Sequence, residues 1–326
     1  MAAPRSVAGG PMYNELRARL DRGDTLLLDG PMGSELVRRG VRWRKHGLET
    51  DAPAVEALHA EYLSAGAEIL RTNTFQLNPR LYLHVFRDLE HMRQIGAPGL
   101  EHLVPKLQKT AVALAKSARS KAGGEGKVAI AGVISPVEHC YRPDLSPPYE
   151  TALREHQPMA EVFAAEKVDF LLAESMNTIH EARAALAAGR AAGLPVWVSF
   201  VLGPEGELLS REPLKDAMAE MEKGGAEAVL VSNAPADDIT KAAAPMRGLT
   251  RLPFGAFAHI GRFSPPSWKF DFHPQFIETE TTSPAQYRAA AKKWREAGAR
   301  VVGGCCGTTP AHTRALREML DAGRAN

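Results

Sequence analysis

Three cysteines in 326 residues are too few for the disulfide framework that holds small secreted folds together, so cross-linking does not organise this chain. No stretch approaches the roughly 18 uninterrupted apolar residues that cross a bilayer, and residues 1–12 contain no apolar segment of the secretory type. A soluble, cytoplasmic protein with no membrane partner is the expectation. The charge balance is equally spare. Forty Lys and Arg against 38 Asp and Glu give a formal net charge of +2, which supplies no general attraction to nucleic acid or anionic lipid. Nucleotide signatures are missing too: no Gly-x-Gly-x-x-Gly follows an apolar run, and there is no glycine-rich lysine loop. Partners have to be argued from individual sites.

What the sequence does have is a repeated alternation. Strand-length apolar runs occur at Thr25–Leu28, Glu68–Arg71, Val128–Gly132, Val168–Ala173, Pro195–Phe200, Ala228–Val231, Leu252–Phe257 and Val301–Val302. Between them lie segments with apolar residues at helical spacing: Tyr13–Arg22, Ala54–Gly66, Val104–Ala122, Met159–Glu166, Ile179–Ala192, Pro213–Gly224 and Ser283–Ala297, with a helix-like insertion over Asn78–Leu103. Eight runs joined by helical segments predict parallel strands with crossovers, and eight is the number that closes an α/β (β/α)8 TIM barrel. Such barrels reach about 250 residues or more as one domain. The expected organisation is a disordered leader over residues 1–12 and a single barrel domain over residues 13–326. A doubly wound open sheet would give the same alternation, but no dinucleotide motif supports it.

Most of the runs end in a polar residue: Asp29, Thr72, Ser135, Glu174, Asn233, His259 and Cys305. In a barrel the active site lies at the C-terminal ends of the strands, so these scattered residues would converge on one mouth. The densest chemistry is in Val301-Val302-Gly303-Gly304-Cys305-Cys306-Gly307-Thr308-Thr309-Pro310. Adjacent cysteines rarely meet disulfide geometry, with its Cα separation of about 4.4 to 6.8 Å, and are read as free thiols. Thr309 before Pro310 is a helix N-cap followed by a first-turn proline, so the thiols sit at a strand-to-helix corner. Two readings of the pair stand at this point: metal thiolates, or small packing residues.

Five pieces taken in order and spacing carry a family resemblance. They are Leu28-Asp29-Gly30-Pro31-Met32-Gly33-Ser34-Glu35-Leu36, Ala65-Gly66-Ala67-Glu68-Ile69-Leu70-Arg71-Thr72-Asn73-Thr74-Phe75, Leu171-Leu172-Ala173-Glu174, Pro195-Val196-Trp197-Val198-Ser199-Phe200 and Gly303-Gly304-Cys305-Cys306-Gly307-Thr308. Over almost its whole length the chain resembles the homocysteine S-methyltransferases, zinc-dependent barrels that move a methyl group from an onium donor or methylfolate to a thiol. The resemblance implies a methyltransferase of amino-acid metabolism, of the methionine-forming kind. Its partners would be a small-molecule thiol and a small sulfonium or betaine-like donor, since no folate or corrinoid domain fits after residue 326.

In that family one zinc thiolate comes from an Asn-Cys pair after the sixth strand and two from the Gly-Gly-Cys-Cys corner. This chain reads Asn233-Ala234. The resemblance therefore implies Cys305 and Cys306 as metal ligands in the catalytic site, with His259 as the candidate to replace the missing thiolate and Cys140 as a second one. Asp29 and Glu174 match positions that engage the amino-acid end of homocysteine, and Glu174 is counted as catalytic as well. Thr72 is matched to the substrate carboxylate, and Gly30 and Asn233 are taken as substrate-binding with them. Trp43 resembles a donor-facing tryptophan whose ring would attract an onium cation. Alternatives remain open: Asp29 and Glu174 cap loops or pair with an arginine, Trp43 is a surface or interface residue, and the barrel is zinc-free and works on another acceptor, demethylates its donor, or binds an amino acid without turnover. The aromatic segment Gly261–Glu280 is a lid, a donor pocket or a dimer contact.

Overall fold

The computed structural model describes residues 9–42, 45–83, 89–94, 99, 102–262 and 281–323. Trp43 and residues 263–280 of the aromatic segment lie outside the described residues. The strands are β1 (Leu26–Leu27), β2 (Ile69–Arg71), β3 (Ala129–Ile134), β4 (Phe170–Met176), β5 (Val196–Val201), β6 (Ala228–Ser232), β7 (Phe254–Ala258) and β8 (Val301–Gly304). The helices are α1 (Pro11–Asp21), α2 (Met32–Arg38), α3 (Ala52–Ser64), α4 (Pro79–Leu83), α5 (Leu89–Gln94), α6 (Leu103–Lys121), α7 (Tyr149–Ala165), α8 (Ile179–Ala191), α9 (Leu214–Gly224), α10 (Ala236–Leu249), α11 (Pro284–Glu296) and α12 (Pro310–Ala322). Among the described residues no helix is long and apolar enough to cross a membrane.

The eight strands form one parallel sheet in the order β1-β8-β7-β6-β5-β4-β3-β2. A parallel bridge between Leu28 and Ile69 joins its two ends, reinforced by Asp29 N–H donating to Ile69 O at 3.0 Å and Glu68 N–H to Leu27 O at 2.8 Å. The sheet is thus a TIM barrel, as the alternation in the sequence predicts. Successive strand residues point to opposite faces. Leu26 and Leu28 enter an inner cluster with Ile69, Phe170, Trp197, Leu230 and Val301, while Leu27 packs outward with the helices.

Helix α1 fixes which mouth is open. Its Tyr13, Leu16 and Leu20 join the inner cluster, and Trp197 Nε1 donates to the Tyr13 hydroxyl at 3.2 Å. Rings of Phe170 and Trp197 meet at 4.3 Å in the same layer. The plug covers the N-terminal ends of the strands, so the polar strand ends face the opposite mouth.

Several boundaries differ from the sequence reading. The chain enters α1 at Pro11, so residues 11 and 12, expected in the leader, are helical. Helix α7 starts at Tyr149 rather than Met159, and α10 follows β6 where no helix was expected. Pro158 and Pro245 lie inside these two helices, and each interrupts the local helical pattern of the sequence. Strand β4 continues to Met176 instead of stopping at Ala173, through a register shift between Ala173 and Met176. A bulge of this kind re-aims side chains; it spans Glu174 and Ser175, and Ser175 carries the left-handed backbone.

Candidate active site

The C-terminal strand ends bring together Asp29 after β1, Thr72 after β2, Glu174 within β4, Asn233 after β6, His259 after β7 and Cys305 after β8. All six are buried. The residue that connects the carboxylates is one the sequence reading passed over. Arg71, the last residue of β2, donates from Nε to Asp29 Oδ1 at 2.7 Å and from its backbone N–H to Asp29 Oδ2 at 2.9 Å. Its two terminal nitrogens reach Glu174 Oε1 at 2.8 Å, Asp29 O at 3.0 Å and Gly304 O at 2.7 Å.

One guanidinium therefore ties β1, β2, β4 and β8 together. Its signal in the sequence was an arginine closing an apolar strand, on the same face as two strand-end acids. Of the open readings for Asp29 and Glu174, the arginine pair is the arrangement observed. Burial pushes both carboxyls above their usual range, Asp29 to about 6, while Arg71 opposes the shift. With all three groups charged, the cluster carries one net negative charge. Asp29 has both oxygens engaged by Arg71. Glu174 Oε2 accepts no hydrogen bond among the described residues.

The thiol corner lies beside this cluster. One donor atom from each of His259, Cys305 and Cys306 falls within 4.8 Å of the others. Zinc bonds of about 2.0–2.3 Å to nitrogen and sulfur fit such a spacing, and two cysteines with one histidine leave a fourth tetrahedral position for a substrate. The donor set therefore fits zinc. Its hydrogen bond with Cys306, together with burial, holds the Cys305 thiol well above the usual thiol range, and its Sγ donates to Asn233 Oδ1 at 3.5 Å. Cys140 is buried, but its sulfur is outside the group of three.

Close approach sets the backbone here. A Cβ on Gly303 would lie 2.6 Å from Leu28 Cβ, and one on Gly30 would lie 2.5 Å from the Tyr62 hydroxyl, which donates to Pro31 O at 3.0 Å. Gly30, expected to touch substrate, has packing against Tyr62 as its visible constraint. Ser175 and Asn233 both adopt left-handed backbone, with φ of 63° and 58°, a conformation rare for non-glycine residues. Ser175 Oγ donates to Asn233 Oδ1 at 2.7 Å, so each supports the other's position.

Thr72 is hydrogen-bonded within the barrel through both groups that the resemblance offers to substrate. Its amide donates to Ala131 O at 3.0 Å, and its hydroxyl accepts from Val133 N–H at 3.0 Å and bonds Thr74 Oγ1 at 2.8 Å. Both groups offered to a substrate carboxylate are already used in holding β2 to β3. A residue that the sequence did not flag, Tyr141 in the loop after β3, enters the site instead. Its hydroxyl lies 3.0 Å from His259 Nε2 and accepts from Asn233 Nδ2 at 3.5 Å. No periodicity or motif marks a loop tyrosine, so only the folded chain shows it.

Comparison with known proteins agrees with the barrel fold. The sequence profile of the homocysteine S-methyltransferases matches residues 26–320. The homocysteine S-methyltransferase of Escherichia coli (strain K12) is 29% identical over 93% of this chain and 98% of its own length. Betaine–homocysteine S-methyltransferase 1 of Bos taurus is 30% identical over 96% of this chain and 76% of its own. Among solved structures, the metallated form of the homocysteine methyltransferase MmuM from Escherichia coli superposes with a TM-score of 0.74 at 26% identity, covering 95% of this chain and 99% of that one.

Proposed function

The chain belongs to the homocysteine S-methyltransferase family and is a methyltransferase, and on that premise we propose that it transfers a methyl group from a small onium donor to the thiol of homocysteine at a zinc held by His259, Cys305 and Cys306. The observation that carries this reading is the convergence of those three donors at the catalytic mouth. Bound there, zinc would hold a substrate thiol as the thiolate, the nucleophilic form, at neutral pH. Attack of a thiolate on the methyl carbon of an onium donor expels a neutral sulfide or amine and leaves a thioether. The leaving group needs no proton, so the site needs no general acid.

The remaining residues orient the substrate. Glu174 Oε2 is the free carboxylate oxygen beside the corner and takes the ammonium of the amino acid, favoured by the net negative charge it shares with Asp29 and Arg71. Asp29 acts through Arg71, whose guanidinium it holds in place. In the metal-free protein Asn233 Oδ1 accepts the Cys305 thiol proton and fixes the direction of the side chain, and that proton leaves when the thiolate binds metal. Relatives named for S-methylmethionine and for betaine as donors are both similar to this chain, which supports a small onium donor. Trp43 stands as the proposed donor-facing ring.

The test is metal content of the purified protein together with methyl transfer to homocysteine from S-methylmethionine and from betaine. Stoichiometric zinc with turnover of one donor supports the reading. Tight amino-acid binding with neither zinc nor turnover would replace it with a binding barrel.

A further inference from the structure

An imidazole that stands among thiolate ligands has to be held in one tautomer and one direction, which applies here on the proposed role of His259 as a ligand. A histidine binds metal through one nitrogen while the other nitrogen's hydrogen bond sets tautomer and ring direction. Here His259 Nε2 is 3.0 Å from the Tyr141 hydroxyl, with the two rings at a 73° angle and their centroids 6.3 Å apart. The hydroxyl is fixed in turn. Asn233 Nδ2 donates to it at 3.5 Å, and Asn233 is oriented by Ser175 Oγ, which donates to its Oδ1 at 2.7 Å. The chain of polar contacts thus runs from β4 through the end of β6 to the loop after β3 and back to the end of β7. It is buried throughout its strand-end members.

We propose that Tyr141 is the positioning residue of this metal site: its hydroxyl oxygen accepts the Nε2 proton of His259 and so leaves Nδ1 as the nitrogen offered beside Cys305 and Cys306. A thiolate ligand carries no tautomer and would not need this support. The device therefore belongs to a site in which a histidine stands third.

Outer partners of metal-bound histidines change affinity by about 10–100-fold when removed. Tyr141→Phe keeps the ring and removes only the hydroxyl. Zinc affinity, read by competition with a chromophoric chelator, should fall by that factor while the melting temperature of the apoprotein stays close to the parent. In a His259→Ala background the same Tyr141→Phe change should have no further effect on zinc affinity, because the positioned ligand is gone. Equal losses in both backgrounds, or no loss in the first, would overturn the proposal. A second readout needs no variant: nitrogen shifts of His259 in the apoprotein should show the Nε2–H tautomer, and an Nδ1–H tautomer would contradict it. If His259→Ala alone leaves zinc affinity unchanged, it is the ligand assignment beneath the proposal that fails, which separates the two outcomes.

Discussion

The backbone N–H of His259 donates to the carbonyl of Ala234 at 2.9 Å, so the imidazole-bearing residue is hydrogen-bonded to the residue that stands where the family resemblance calls for a thiolate. A parallel bridge between Pro235 and His259 continues the contact. Replacement of a ligand by one from the neighbouring strand end is a short structural step in this geometry.

Restoring the thiolate therefore makes the histidine dispensable. Ala234→Cys should raise zinc affinity on the order of tenfold or more, since thiolates are strong zinc ligands. In that background His259→Ala should retain zinc, whereas His259→Ala alone should weaken it markedly. Chelator competition on the four proteins checks this. Unchanged affinity in Ala234→Cys would show that position 234 does not face the thiol corner.

Glu174→Gln removes the charge offered to a substrate ammonium. A hydrogen bond to a charged group contributes roughly 1.5–3 kcal/mol, so KM for homocysteine should rise by about tenfold to a hundredfold. Zinc content should stay the same. Equal KM values in the two proteins would take Glu174 out of the substrate pocket and leave it a partner of Arg71 only.

Arg71→Met leaves two buried carboxylates without their cation. Breaking a buried pair in this way costs about 3–5 kcal/mol, and the urea midpoint at neutral pH should fall accordingly. A loss of under about 1 kcal/mol would mean that solvent, not Arg71, compensates Asp29 and Glu174.

Acid should destabilise the fold through two buried histidines that are not among the three donors of the thiol corner. His59 has neither ring nitrogen hydrogen-bonded, and His46 Nε2 lies 2.7 Å from Phe75 O. Burial lowers both from 6.5 to about 4. Folded-state values below the unfolded value favour the neutral form, so this stability is fully present above pH 6.5 and is lost as pH falls toward 4. The depressions are worth about 3 kcal/mol each. His59→Leu should flatten the pH dependence of the urea midpoint over this interval; an unchanged slope would contradict the assignment.

The barrel was legible because β-branched and leucine-rich runs such as Ala228–Val231 alternate with helical segments, and because eight such units close on themselves. The strand-end residues Asp29, Glu174, His259 and Cys305 were legible for the same reason: barrel topology alone sends them to one mouth. What the sequence hid was pairing. Arg71 lies in an apolar run, and nothing local says that its guanidinium reaches across to β1, β4 and β8. Thr72 looked available, but its hydroxyl and amide are spent on β3. Tyr141 depends on a loop path, and loop paths are set by tertiary contacts rather than by periodicity. The bulge across Glu174 and Ser175 was equally invisible, since a strand that continues through an irregular residue reads in sequence as a strand that stops.

Zinc K-edge X-ray absorption of the zinc-loaded protein, recorded without and with homocysteine, counts the atoms that hold the metal. Two sulfur ligands and at least one imidazole nitrogen are expected in the protein alone, and three sulfurs with the imidazole retained once homocysteine is added. No bound zinc, or a sulfur count that homocysteine leaves unchanged, would contradict it.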